Sequence, residues 1–128
     1  MQSAVHRLGW RCVASEADLT ESHSGSSGTM ILARSHLGLS KLTLESGEWR
    51  HESNSRWKFA TLRLRGVNLV ICAVYLHTGI GLAGPNIYLL QQIGARLSAV
   101  GAPAIVVGDW NMPWDVLSRS TFPSEALL

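Results

Sequence analysis

The chain has 128 residues, 46% of them hydrophobic and 16% charged, a composition that excludes a disordered or fibrous protein. That length supports one domain over residues 1–128 with a real core and excludes a second full domain. Eleven Lys and Arg against nine Asp and Glu leave a net charge of +2, too small to identify a partner.

The first ten residues carry His6 and Arg7 with no apolar stretch of signal-peptide length behind them. The longest apolar run, Leu69–Leu76, falls short of the roughly 20 residues a membrane span needs. An intracellular protein without a membrane span is expected. Cys12 and Cys72 are not spaced for zinc, and Cys72 lies in an apolar run where a thiol acts as a small hydrophobe. Residues 15–29 are rich in Ser, Gly, Thr and carboxylates and predict a surface loop. Residues 29–33, Thr-Met-Ile-Leu-Ala, predict a short buried strand; residues 41–45, Lys-Leu-Thr-Leu-Glu, alternate as a half-exposed strand does.

Residues 46–56 are polar and turn-rich, and the next two runs, 57–65 and 69–76, predict a β-hairpin reversing over Gly66-Val67-Asn68. In its first arm Ala60, Leu62 and Leu64 share one face, while Trp57, Phe59, Thr61, Arg63 and Arg65 share the other. The unbroken apolarity of the second arm predicts cover on both faces. After a glycine-rich loop over 77–85, Asn86 is expected to cap a helix running to about Val100, with Ile87, Leu90, Ile93 and Leu97 at helical spacing. Gly101 ends that helix. Residues 104–107 predict a fully buried strand, and Pro113 opens a last helix to about Ser118. The fold class is α/β, one sheet with flanking helices.

The most informative segment is Ala104-Ile-Val-Val-Gly-Asp-Trp-Asn-Met-Pro113. A buried strand delivers Asp109 and Asn111 to one side of its tip, where a carboxylate and a carboxamide can orient a water and grip a phosphate oxygen or a hydrated divalent cation. Gly108 lets the backbone approach such a group closely. The competing reading is a strand end with an Asx turn leading into the Pro113 helix, since Asp and Asn are common turn residues. His77, at the end of the preceding strand, has a side chain that titrates near neutrality and suits proton donation at a cleft mouth; alternatively it bonds a loop carbonyl. Tyr75, two residues earlier, faces the same side and either packs or reaches a phosphate.

Gly-Asp-Trp-Asn resembles the Gly-Asp-Phe-Asn motif of the endonuclease/exonuclease/phosphatase superfamily, the DNase I-like phosphodiesterases. Ser27-Gly28-Thr29-Met30-Ile31-Leu32-Ala33-Arg34 is similar to the family's Ser-Gly-Gly-x-Ala-Ile-Leu strand, with Thr29 in place of the second glycine. Residues 57–76 resemble the hairpin that follows, and Val74-Tyr75-Leu76-His77-Thr78 resembles the strand end that carries the family's Tyr or His. The resemblance covers about residues 8–118 and implies the central part of an αββα sandwich. It implies Mg²⁺-dependent hydrolysis of a phosphodiester, with nucleic acid as the favoured substrate. Asp109 would orient or activate water, Asn111 would hold the phosphate with Tyr75 beside it, and His77 would assist the leaving oxygen. The family's metal-binding glutamate lies upstream of the Ser-Gly strand, and Glu16 and Glu21 are too close to that strand and too loop-bound to replace it. The family's Ser-Asp-His histidine would lie beyond Leu128. The resemblance thus leaves two outcomes open, a phosphodiesterase represented in part, or a non-catalytic binding module of the same fold. It also predicts a sheet face left under-covered, and hence self-association.

Gly79-Ile-Gly-Leu-Ala-Gly84 fits the Gly-x-Gly-x-x-Gly pattern of dinucleotide-binding proteins. Pro85 and Asn86 place the helix start after the third glycine rather than near the second, which argues against that cofactor. Trp49, Arg50, His51, Arg56, Trp57 and Lys58 mix cations with aromatics; a solvated loop is the plainer reading, a nucleic-acid contact the other.

Overall fold

The computed structural model describes residues 2–19, 25–42 and 55–125. The described elements are α1 (Gln2–Arg7), β1 (Trp10–Ala14), β2 (Asp18–Leu19), β3 (Gly25–Ser26), β4 (Met30–Arg34), β5 (Gly38–Lys41), β6 (Trp57–Leu64), β7 (Val67–Tyr75), α2 (Pro85–Val100), β8 (Ala104–Asp109), α3 (Trp114–Ser118) and α4 (Phe122–Glu125). Strands β5-β6-β7-β8 form a sheet in that order, antiparallel except for the parallel β7–β8 pair. A helix connects that parallel pair, as parallel strands require a crossover.

The hairpin is tighter than expected. Arg65 and Gly66 alone make the turn, both at positive φ (44° and 88°), while Val67 and Asn68 belong to β7. Two positive-φ residues match the right-handed twist of the flanking strands, and a glycine at the second position suits them. The predicted alternation holds in β6: Trp57 and Phe59 join the core under α2, and Ala60 and Leu62 join a second core on the opposite face.

Two layers cover the sheet. On one face Val70, Cys72 and Val74 of β7 meet Leu89, Leu90, Ile93 and Leu97 of α2, with Leu117 and Phe122 closing the end. Ile87 is exposed rather than buried; Leu89 takes its place in the core. On the other face Ile71 and Ala73 pack with Ala60 and Leu39 under the antiparallel pair β1–β4, which contributes Val13, Ile31 and Ala33. The order is helix, sheet, strand pair. Arg96 of α2 is buried with its guanidinium 4.2 Å from the centre of the Trp57 ring, an arrangement that offsets part of its desolvation by cation–π attraction.

Several expectations are corrected. Within the region read as a surface loop, β2 and β3 pair, and Ser15 joins the β1–β4 ladder: its N–H donates to the Thr29 carbonyl at 2.9 Å, and its Oγ accepts from the Thr29 N–H at 2.7 Å. The second strand lies at Gly38–Lys41, because Leu39 is the residue that reaches the core; residues 43–45 lie outside the described residues, as do 46–54. β8 is not fully buried. It is an edge of the described sheet, and Ile105 and Val107 are each 47% exposed, since the β1–β4 pair does not cover them.

Both cysteines are free thiols, Cys12 half-buried and Cys72 buried; burial pushes the Cys72 thiol far above its ordinary range, with the Arg96 charge acting in the opposite direction. A thiol kept protonated is a poor nucleophile. Titration with a thiol reagent at pH 8 is therefore expected to label Cys12 in the folded protein and Cys72 only on unfolding, and equal labelling rates would show that the α2 side of the sheet opens readily.

Candidate active site at the tips of β7 and β8

The parallel register sets the geometry. Val74 stands opposite Gly108 and Tyr75 opposite Asp109, and the Leu76 N–H continues the ladder to the Asp109 carbonyl at 2.9 Å. Gly108 has φ 153°, and a Cβ there would collide with the Val74 carbonyl. A side chain at 108 would thus separate the two tips. The group that comes close at Gly108 is the β7 backbone.

Past the ladder, Asn111 closes the turn. It adopts a left-handed conformation (φ 49°), its N–H donates to Asp109 Oδ1 at 3.1 Å, and its Nδ2 donates to the Leu76 carbonyl at 2.7 Å. Asp109 and Asn111 do form an Asx turn, but Asn111 is not an extension of the strand. Its amide group ties the turn to β7. The helix that follows begins from Pro113 with no side-chain cap. Asp109 is exposed, with Oδ1 engaged by the turn.

His77 is half-buried where β7 runs into the glycine-rich loop. Its backbone is fixed by Asn86: the His77 N–H donates to Asn86 Oδ1 at 2.8 Å, and Asn86 Nδ2 donates to the His77 carbonyl at 3.0 Å and the Gly81 carbonyl at 2.9 Å. Asn86 is fully buried and does not cap α2; Gly84 occupies the N-cap position and Pro85 the first turn. The amide reaches backwards to fold the loop down instead. Among the described residues no hydrogen bond holds the imidazole, so the alternative of a loop-carbonyl partner for that ring does not describe it. The helix begins after Gly84, as the sequence pattern requires and unlike a dinucleotide-binding turn.

One basic residue at this sheet end belongs, on the plainer sequence reading, to a solvated loop. Arg56 precedes β6, its carbonyl accepts from the Tyr75 N–H at 2.7 Å, and its guanidinium lies 5.0 Å from the Tyr75 ring centre. Arg56, Tyr75 and Asp109 therefore stand in one row across β6, β7 and β8. The Ser-Gly-Thr segment meets the same end of the sheet, since the Gly28 N–H donates to the Ser55 carbonyl at 3.0 Å. The signal lay in the hairpin: once its turn is a two-residue one, the register puts Arg56 opposite Tyr75. Trp49, Arg50 and His51 lie outside the described residues.

A protein-held metal centre does not fit these residues. No three His, Cys, Asp or Glu side chains converge among the described residues, and of Arg56, Tyr75, His77, Asp109 and Asn111 only Asp109 is an anionic oxygen donor. Glu16 is exposed, and Glu21 lies outside the described residues.

No protein-family model and no curated protein matches the sequence. Among solved structures it is similar to the human Nocturnin catalytic domain with bound sulfate anion, at 19% identity and TM-score 0.63, over 99% of this chain and 52% of that one. This chain has the endonuclease/exonuclease/phosphatase fold. The endonuclease domain of TRAS1, a telomere-specific non-LTR retrotransposon, matches at 11% identity and TM-score 0.54, over 89% of this chain and 53% of that one. The chain spans about half the length of the endonuclease/exonuclease/phosphatase structures it matches. Its helix, sheet and strand-pair layers form part of the DNase I-like sandwich, as the order of its motifs implies. No helix among the described residues is long and apolar enough to cross a membrane.

Proposed function

We propose that the chain carries the central part of a phosphodiester-hydrolysing site that acts on nucleic acid. The observation that supports this most is the row Arg56–Tyr75–Asp109, held by Gly108 at the point where β7 and β8 touch. In-line attack needs a positioned water, a held phosphate and a stabilised leaving oxygen. Asp109, exposed at the tip, accepts a hydrogen bond from the attacking water and orients it. Arg56 offers its fork of donors to the non-bridging oxygens, a geometry suited to phosphate. Asn111 lines the other side through its carboxamide, whose nitrogen already bonds Leu76, so its contribution is to fix the turn and the carboxylate. His77, in its protonated form, gives a proton to the leaving oxygen as the bond from phosphorus to that oxygen breaks. Mg²⁺ is not assigned to a protein site and enters this reading only as a companion of the substrate phosphate.

The test is cleavage of supercoiled plasmid and of an abasic-site duplex in Mg²⁺ buffer. The unaltered chain is expected to nick at least one of them, and Asp109→Ala to lower the rate by about a hundredfold. Equal rates for the two proteins would remove the catalytic assignment, and binding without cleavage would favour a non-catalytic module of the same fold.

The β8 edge of the described sheet supports a second statement about partners. β8 has no Lys, Arg or Pro between Ala104 and Gly108, and it leaves Ile105 and Val107 in water, so it lacks the usual defences of an edge strand. A second copy of this chain, paired along β8, is the partner that this edge fits. Sedimentation is expected to show association that rises with concentration and is lost in Val107→Lys; a monomer at every concentration would refute it.

A further inference from the structure

The end of the sheet opposite Asp109 takes no part in the chemistry above; the eight residues of β6 separate it from the strand tips by roughly 25 Å. Three segments meet there. The Ser35 N–H donates to the Gly9 carbonyl at 2.9 Å, which joins the turn after β4 to the chain between α1 and β1, and Gly38, at the end of that turn, pairs with Arg63. The β6–β7 hairpin closes beside them. Leu64 pairs with Val67, every residue from Arg63 to Asn68 is exposed, and a Cβ on Gly66 would meet nothing within 4 Å, so the turn stands clear of the molecule.

This end is basic throughout. Arg7, Arg11, Arg34, Arg63 and Arg65 are exposed, and the three segments, residues 5–11, 34–38 and 63–68, hold no Asp or Glu. Among the described residues no carboxylate pairs with any of the five arginines. The Arg34 guanidinium instead lies 4.3 Å from the centre of the half-buried Trp10 ring, which holds it in place by cation–π attraction. Between the arginines, aliphatic side chains stand in water: Leu8 is 73%, Val67 55% and Leu64 37% exposed.

We infer that this end of the molecule docks on the surface of an anionic phospholipid bilayer. Charge complementarity supplies the attraction: each arginine brought near a negatively charged leaflet raises affinity about fivefold. The guanidinium fork also matches the oxygens of a headgroup phosphodiester. The aliphatic residues decide between one polyanion and another. A nucleic-acid backbone offers phosphates and sugars, from which Leu8 and Val67 gain nothing. At a bilayer the same side chains leave water for the boundary between headgroups and acyl chains, while the arginines beside them keep their charges at the level of the phosphates. The chain interleaves the two kinds of residue to suit that boundary, as Arg7-Leu8 and as Arg63-Leu64-Arg65-Gly66-Val67. Because the hairpin tip projects, these residues reach a flat surface ahead of the rest of the sheet. Docked in this way, the molecule keeps His77 and Asp109 on the side away from the lipid, so the surface serves a purpose separate from the strand-tip site and does not depend on it.

The experiment is co-sedimentation of the full chain with vesicles of phosphatidylcholine alone and of phosphatidylcholine with about 30% phosphatidylserine, at about 0.1 M salt. The anionic vesicles are expected to bind at least about tenfold more tightly than the neutral ones, and to lose that advantage at about 0.5 M salt. Arg63→Gln combined with Arg65→Asn is expected to weaken anionic-vesicle binding about 25-fold. Asn-Gly is the pair a two-residue hairpin turn prefers, so the turn itself survives the change. Should that pair nonetheless melt at a lower temperature, Arg7→Gln, outside the sheet, repeats the test with an expected loss of about fivefold. Leu8→Ser is expected to weaken vesicle binding about threefold and to leave the binding of a short DNA duplex unchanged. Equal binding to the two kinds of vesicle, or no binding to either, overturns the inference, as do arginine variants that bind like the unaltered chain. If the arginine variants lose duplex binding by the same factor and Leu8→Ser changes neither ligand, the surface is a nucleic-acid contact and the lipid assignment falls.

Discussion

Replacing Gly108 by alanine is expected to lower stability by about 3–5 kcal/mol, from the overlap of the new methyl with the Val74 carbonyl and from a φ that L-residues rarely adopt. To admit the methyl, the ends of β7 and β8 must part, and the Leu76 N–H bond to Asp109 lies just beyond that point. The loss is thus both structural and local to the site. Gly79→Ala is the control. Gly79 also has positive φ, at 80°, but nothing lies within 4 Å of a Cβ there, so the penalty should be about 1–2 kcal/mol. Urea denaturation of both variants measures the difference. Equal penalties would mean that the two strand tips do not approach as closely as described.

The second large effect is expected at Asn86. Its side chain makes three hydrogen bonds of 2.8–3.0 Å in a fully buried position, and Asn86→Ala leaves two carbonyls and one N–H of the loop without those partners. At about 1–3 kcal/mol for each unsatisfied group, with water repairing some of them, a net loss of about 3–5 kcal/mol is expected. Amide exchange should be faster over residues 77–84 than over β6. Asn86→Asp makes a sharper measurement. A carboxylate there still accepts from the His77 N–H but faces two carbonyl oxygens, which raises its pKa above the unfolded value. The protonated form can donate to one of those carbonyls. The stability of Asn86→Asp relative to the unaltered chain should be greatest below the unfolded carboxyl pKa and decline as pH rises through the folded one. A variant whose relative stability improves towards neutral pH would contradict the assigned bonds.

The parts of this fold legible in the sequence are those where one layer decides the pattern. β6 and β7 announce themselves by alternation and by continuous apolarity, and α2 by the spacing of Leu90, Ile93 and Leu97. Gly101 ends α2 in the left-handed conformation that favours glycine. β1 was illegible because Trp10–Ala14 buries fully only Val13, so no period shows. β8 carries the opposite lesson: Ala-Ile-Val-Val reads as buried, but burial depends on the layer lying over a strand, and no described layer covers Ile105 and Val107.

The candidate site was legible in where its residues lie and less so in their wiring. Tyr75 and Asp109 end neighbouring parallel strands, and His77 and Asn111 follow just beyond them, as their places at the ends of two apolar runs suggested. The role of Asn86 was hidden because Asn after a loop signals a cap, although Pro85 ahead of it already fills the first helical position. Arg56 was hidden because its place beside Tyr75 follows from the turn length, a property of Arg65 and Gly66 rather than of its own neighbours. The left-handed turn at Asn111, which directs its amide to Leu76, had no sequence signal beyond the tolerance of Asn for that conformation.

Backbone amide NMR during titration with a short thymidylate phosphodiester locates the bound phosphate directly. Progressive shifts at Arg56, residues 75–78 and residues 109–111, abolished in Arg56→Ala, are the result predicted for a phosphodiester site at these two strand ends. Shifts confined to other surfaces, or none at millimolar ligand, would contradict it.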